Sequence, residues 1–258
     1  MGSVLLDIKG TVGVIHLNRP DKLNAFNRTM ALELQQTLDE CQANSIIRCV
    51  MLTGCGKAFS AGQDLAEVAG PGGPGMGTIL SEHYNPIIRR LRNLNKPVIA
   101  AVNGVAAGAG ANIALCCDIV VAAQTASFIQ AFSKIGLIPD SGGTFFLPRL
   151  IGWQKASALM MLGEKISAQQ AEQMGMIFRV LEDGNFHEQA LEMANGLAQM
   201  PTKGLLLTRQ ALESSFVNTL EKQLAVEDQL QQLAGNSEDY KEGVQAFIGK
   251  RKPVFKGN

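Results

Sequence analysis

The spacing of hydrophobic and polar positions changes character along the chain. Residues 4–8 and 12–17 are short β-favouring runs on either side of Gly10, which predicts two paired strands turning at that glycine. Met30, Leu34, Leu38 and Cys41 then recur at three-to-four spacing, the signature of an amphipathic helix. Residues 48–53, 97–102 and 118–122 are apolar and rich in β-branched side chains, as strands buried on both faces are. Between them, residues 70–77 (GPGGPGMG) offer little to hydrogen-bond regularly and predict a surface loop with neither helix nor strand. No strand directly precedes that loop and no Gly-Lys-Ser/Thr follows it, so the phosphate-cradle pattern is missing.

From about residue 153 the pattern predicts an almost wholly helical tail. Ser167 is placed to cap a segment ending near Gly175, and Pro201 suits the first turn of the next helix. Leu220, Leu224, Glu227 and residues 230–233 keep helical spacing. Ser237 followed by Glu238 and Asp239 reads as a further helix start, because negative groups favour the N-terminal end of the dipole. That last helix is expected to run into Lys250, Arg251, Lys252 and Lys256. The layout is an α/β core followed by an α-helical tail.

Composition narrows the function classes. The 258 residues are 46% hydrophobic, enough for a large core, and Lys+Arg and Asp+Glu both total 23. A balanced charge leaves no global field, so neither nucleic acid nor a membrane surface is expected as a partner. No run approaches the roughly 18 apolar residues of a membrane span, and Asp7 and Lys9 interrupt any leader pattern, so a cytoplasmic location is expected. The five cysteines show no CxxC spacing and read as reduced, buried thiols. No His, Cys and carboxylate cluster has metal-ligand spacing, so no metal is expected; His16, alone on an apolar strand, reads as a core residue.

Two glycine-rich loops follow predicted strands: residues 58–65 (AFSAGQDL) and 103–112 (NGVAAGAGAN). Their small side chains leave backbone N–H groups uncovered, and the second loop opens an apolar helix whose first N–H groups carry the positive dipole end. Such amides suit a developing negative charge; the same small residues also suit close packing of helix on sheet. The dinucleotide fingerprint fails, because Ile113 stands in the place of the third glycine and no acid occupies positions 131 or 132. Ser60 misses the nucleophile-elbow pattern, which requires glycine where Ala58 stands, although His83 and His187 are available as partners. Asp140 lies in a glycine-rich turn, residues 136–143 (GLIPDSGG), as a cap or as a proton carrier. The apolar flanks 135–138 and 145–147 predict a desolvated carboxyl with a raised pKa.

These segments carry a resemblance. With NRPDKLNA at 18–25, FSAGQDL at 59–65, the stretches 103–118 and 136–150, and EGVQAF at 242–247 ahead of Lys250 and Arg251, the chain resembles the crotonase (enoyl-CoA hydratase/isomerase) superfamily. The resemblance implies an α/β fold with a crotonase-like ββα spiral core over residues 1–195. It also implies a C-terminal α-helical trimerisation and CoA-contacting region over 196–258, in a homotrimer or dimer of trimers. The implied substrate is an acyl-CoA thioester, so coenzyme A is part of the substrate and no separate cofactor is expected. Its thioester oxygen is implied to sit between the amides of Gln63 and Ala109, with only those amides mattering, and Gly110 adjoins the second. By the same resemblance Lys22, Leu23 and Ala25 lie near the adenine and phosphates, Ala61, Asp64 and Leu65 along the adenine and pantetheine, and Phe247 and Lys250 reach in from a terminal helix of this or a neighbouring subunit.

Family hydratases carry two glutamates where Asn112 and Phe132 stand here, whereas Asp140 aligns with the aspartate of family isomerases. The expectation is therefore an isomerase with a single proton-carrying acid. The run 136–149 is most similar to isomerases that open a ring epoxide of an aromatic acyl-CoA to an oxepin and shift a double bond. Phe128, Phe132 and Phe145 are candidates to line an aromatic acyl pocket, or plain core. A straight-chain Δ3,Δ2-enoyl-CoA isomerase or hydratase, and a catalytically silent CoA-binding member, are the other readings.

Overall fold

The computed structural model describes residues 2–69 and 73–258. Strands β1 (Val4–Lys9) and β2 (Val12–Leu17) form an antiparallel hairpin with Val4 opposite Leu17, turning at Gly10 as expected. Helix Arg28–Ala43 follows, its first turn satisfied by the Asn27 side chain, which accepts from the Met30 N–H. It buries Met30, Leu34, Leu38 and Cys41, packing against β1 and β2.

The chain then repeats one unit three times: a long strand, a tight turn and a short strand. The units are β3 (Cys49–Gly54) with β4 (Ala58–Ser60), β5 (Val98–Val102) with β6 (Val105–Ala107), and β7 (Ile119–Ala123) with β8 (Ser127–Ile129). Two more strands, β9 (Lys165–Ser167) and β10 (Arg179–Leu181), come from the second half of the chain. The long strands join a six-stranded sheet in the order β1-β2-β3-β5-β7-β10, and the short ones a four-stranded sheet in the order β4-β6-β8-β9. Every residue of β3 and β5 is buried, which is why those strands read as unbroken apolar runs. The superhelix thus carries two sheets, and the short one bears the site.

Four expectations are corrected here. β4 and β6 lie inside stretches that read as loops, and β9 and β10 inside a tail that reads as helical. Three residues are too few to display a period of two, so pairing within the sheet, not local sequence, makes them strands. The loop read over 70–77 lies partly outside the described residues. From Met76 the chain is helical through Met76–Thr78, a π-helical segment Ile79–Tyr84 and the helix Asn85–Asn93, because burial of Ile79, Tyr84, Ile87 and Leu91 outweighs the glycines. Finally, the last helix, Glu238–Ile248, stops short of the basic residues rather than running into them.

Ser167 caps helix Ala168–Gln173 in a capping box with Gln170, and Ser237 caps Glu238–Ile248, both as the sequence predicts. Pro201 sits one position earlier than expected, at the N-cap of helix Thr202–Ser215. The C-terminal segment is strapped down: Arg48 donates to the carbonyls of Phe255 at 2.6 Å and Met200 at 2.7 Å. The buried Asp239 carboxylate accepts from the N–H groups of Lys256 at 2.6 Å and Gly257 at 2.7 Å. Cys41, Cys49, Cys116 and Cys117 are buried and Cys55 is half-buried; burial pushes Cys41 up to about 11 and Cys49 up to about 12. Among the described residues no helix is long and apolar enough to cross a membrane, and no group of three or more metal-capable side chains occurs.

Candidate active site

The two glycine-rich loops meet because neighbouring strands deliver them. β4 and β6 run parallel and adjacent, so the residues that follow them, 61–63 and 108–109, emerge side by side. Gly62 has φ +88°, and a Cβ there would lie 2.8 Å from the Ala107 carbonyl oxygen and 3.4 Å from the Ala109 nitrogen. Only glycine permits both the backbone conformation and the contact. Hydrogen bonds from Phe26 N–H to Gly62 O (2.7 Å) and from Asp64 N–H to Phe26 O (2.8 Å) fix the first loop on both sides of Gln63. Ala109 begins the helix Ala109–Leu115, so its N–H has no acceptor within that helix. Among the hydrogen bonds of the described residues, neither the Gln63 N–H nor the Ala109 N–H has an acceptor.

Both residues line a cavity of about 180 Å³ together with Ala61, Leu65, Tyr84, Phe132 and Asp140. Asp140 is the one carboxylate among its described lining residues. Burial raises the pKa of that carboxyl above the ordinary value, and a 2.8 Å hydrogen bond from the Ser141 hydroxyl opposes the rise. Ser141 has φ +51° and Gly142 φ +73°, and the Gly143 N–H closes the turn onto the Asp140 carbonyl at 2.8 Å. Two successive positive φ values make a tight left-handed turn, and in a serine that conformation is strained. The expected apolar flank is less enclosed than the sequence implies, since Ile138 is 81% exposed and Phe145 is 47% exposed. Shelter for the carboxyl comes instead from the cavity walls.

Of the residues expected to contact substrate, Ala61, Gln63, Leu65, Ala109, Phe132 and Asp140 are brought to this cavity. Phe128 is not: on β8, paired between Ala106 and Ile166 of the neighbouring strands, it is buried in the hydrophobic core. Phe145 also lies outside, in a stack with Arg149 and Phe216. Gly110 is buried against Ser60, where a Cβ would fall 2.7 Å from the hydroxyl oxygen. Ser60 itself is buried, donates to Asn24 O at 2.8 Å and accepts from Gly62 N–H at 3.2 Å, so it braces the loop and offers no nucleophile. Lys22 and Leu23 are exposed on a 3-10 turn over Pro20–Lys22, and Ala25 is buried beside them. The Asp64 carboxylate is bound by Arg19 at 2.9 Å and caps the helix Leu65–Val68. Phe247 and Lys250 are exposed at the far C-terminal end and do not line the cavity of this chain.

Sequence reasoning missed Tyr84. Its ring is buried in the wall formed by the π-helical segment, and its hydroxyl donates to Gln63 Oε1 at 2.8 Å, while Gln63 Nε2 donates to Glu67 at 3.0 Å. The Gln63 side chain is thus engaged by the cavity wall and by Glu67. Burial, with the nearby Asp140 charge adding to it, holds the Tyr84 phenol well above its ordinary pKa. A buried Tyr ahead of Asn85-Pro86 is a weak sequence signal; π-helical turns gather at functional sites, but the sequence does not announce one.

Two sheets wound in a strand-turn-strand superhelix, with a C-terminal helical region, make the fold of the crotonase class. The profile described as enoyl-CoA hydratase/isomerase matches residues 7–258. The 1,2-epoxyphenylacetyl-CoA isomerase of Escherichia coli K12 is 48% identical over 100% of this chain and 99% of its own length. The 2,3-dehydroadipyl-CoA hydratase of the same organism is 37% identical over 100% of both chains. The crystal structure of an enoyl-CoA hydratase from Bacillus anthracis superposes with a TM-score of 0.92 at 34% identity, covering 99% of this chain and 100% of that one. The chain belongs to the enoyl-CoA hydratase/isomerase family and has its fold, a mixed α/β core with a C-terminal helical region.

Proposed function

We propose that this enzyme is an acyl-CoA isomerase that uses Asp140 as its single proton carrier and the amides of Gln63 and Ala109 as an oxyanion hole. The observation that carries the reading is that, among the described residues, Asp140 is the one carboxylate lining a cavity that Gln63 and Ala109 also line, and the N–H groups of those two have no protein acceptor. In a 3-enoyl-CoA, the Asp140 carboxylate takes a proton from C2 and the electron pair moves into the thioester. The two amides hold the oxygen of the resulting dienolate, and the carboxylic acid returns the proton at C4, leaving the double bond between C2 and C3. Atoms and charge balance, and no water or separate cofactor enters, coenzyme A being part of the substrate. An oxyanion donor is typically responsible for about 10²–10³ in rate.

The 48% identity to an epoxyphenylacetyl-CoA isomerase favours a ring-epoxide substrate opened to its oxepin isomer, with double-bond shifts in unsaturated acyl-CoA as a companion activity. Hydration is disfavoured. It needs one group to deprotonate water and another to protonate carbon, yet the Asn112 side chain is engaged with Asp140 O at 2.9 Å and Phe132 supplies no proton. Exposed apolar side chains on the helical tail, among them Phe216, Leu220, Leu224 and Phe247, suit a homotrimer or dimer of trimers. Within it, Phe247 and Lys250 would serve a neighbour's CoA site.

The test is incubation of the purified protein with 3-enoyl-, 2-enoyl- and epoxyphenylacetyl-CoA, alongside Asp140→Asn. Isomerisation lost in Asp140→Asn is expected. Full activity in that variant, or none in the wild type, refutes the mechanism. A hydrated main product returns the reading to a hydratase.

A further inference from the structure

Asn112 is fully buried on the helix Ala109–Leu115, and its side chain is spent on the backbone of the Asp140 turn. Its Nδ2 donates to the backbone carbonyl of Asp140 at 2.9 Å, and its Oδ1 accepts from Gln130 Nε2 at 2.7 Å. The direction of this chain is forced. A peptide carbonyl only accepts, so Asn112 must present its amino group to Asp140. Its oxygen is then left for Gln130, which must present an amino group in turn. Gln130 is itself buried, and its Oε1 has no partner among the described residues. An orphaned buried acceptor is unfavourable, so what Gln130 contributes at this place is its donor.

The strut also interlocks with the turn. A Cβ on Gly143 would fall within the Asn112 carboxamide, so the glycine lets the asparagine sit directly beneath the turn. That turn holds Ser141 at φ +51°, a conformation that persists only where the surroundings over-determine it. The Asp140 carbonyl receives both the Gly143 N–H and Asn112 Nδ2, which supplies that constraint.

We propose that Asn112 and Gln130 are positioning residues: a two-amide strut, anchored on the small sheet beside β8, that holds the Asp140–Gly143 turn so that the Asp140 carboxyl faces the cavity. The inference rests on the isomerase reading only for its kinetic readout. Gln130 acts solely through Asn112, so its loss should matter only while Asn112 is present.

Isomerisation of a 3-enoyl-CoA is measured for Gln130→Met, Asn112→Ala and the double variant, with folding followed by circular dichroism and thermal melting. The expected result is a kcat roughly tenfold lower in Gln130→Met with KM within about twofold, a larger loss in Asn112→Ala, and a double variant no worse than Asn112→Ala. Penalties that multiply in the double variant, or a Gln130→Met kcat equal to wild type, overturn the strut. Should Asn112→Ala not fold, the kcat and KM of Gln130→Met decide alone. Should the wild type show no isomerisation, the functional reading fails, and the strut is judged by the ¹³C shift of the Asp140 carboxyl, assigned with Asp140→Asn. A shift moved by Gln130→Met upholds it, and an unmoved shift overturns it.

Discussion

Tyr84 gives its phenolic hydrogen to the side-chain oxygen of Gln63 across 2.8 Å, tying the π-helical wall of the cavity to the glycine-rich loop that lines its other side. Removing the hydroxyl leaves Gln63 Oε1 unpaired and the first loop free to shift. Tyr84→Phe is expected to lower kcat/KM about tenfold and to lower stability by about 1 kcal/mol, the net worth of one such hydrogen bond. Steady-state kinetics and urea unfolding measure the two effects separately.

Gly62→Ala tests the meeting of the loops. The added methyl would sit 2.8 Å from Ala107 O, on a backbone held at φ +88°. One amide should be pushed out of line with the other, with a loss of about 10²–10³ in kcat, the usual effect of losing one oxyanion donor. A variant that folds and turns over like wild type would contradict the assigned pair.

In the proposed reaction Asp140 must be ionised to take a proton, and burial lifts its pKa. The rate is therefore expected to rise with pH through a midpoint above the ordinary carboxylate range. In Ser141→Ala the hydroxyl that holds the pKa down is gone, so the midpoint moves further up. The same rise has a cost in stability. An acid whose folded pKa lies above its unfolded one binds more protons when folded, so its contribution to stability falls as pH climbs from the unfolded pKa through the folded one. Asp140→Asn is expected to melt at a higher temperature than wild type at neutral pH. That advantage should vanish in acid below the unfolded pKa, as a calorimetric pH series would show.

Asp239→Ala should release the C-terminal strap. Its buried carboxylate binds two backbone N–H groups, at 2.6 Å and 2.7 Å, and hydrogen bonds to a charged group contribute about 1.5–3 kcal/mol. A lower urea midpoint is expected, with faster protease trimming of residues 250–258.

Much of the fold was legible wherever burial imposes a period: the helix bearing Met30 and Leu38, the strands at Val50 and Ile99, and the caps at Ser167 and Ser237. What stayed hidden is pairing that only the assembled sheet creates. Ala58–Ser60 and Val105–Ala107 are strands because each has the other beside it, and nothing local distinguishes them from the glycine-rich segments around them. Likewise Asp140, Gln63 and Ala109 belong to motifs that can be read in sequence, whereas Tyr84 and Gln130 matter through partners 21 and 18 residues away. Hydrogen bonds made across space leave little pattern along the chain.

The short sheet has an evolutionary consequence. The amides of Gln63 and Ala109 follow adjacent parallel strands, which lie about 4.8 Å apart, so the sheet brings the two together and the Ser60 and Tyr84 side chains only steady the first loop. Side chains around them can be exchanged without removing either N–H group, because both belong to the backbone. A scaffold built this way can have its side chains replaced one at a time and keep its backbone donors.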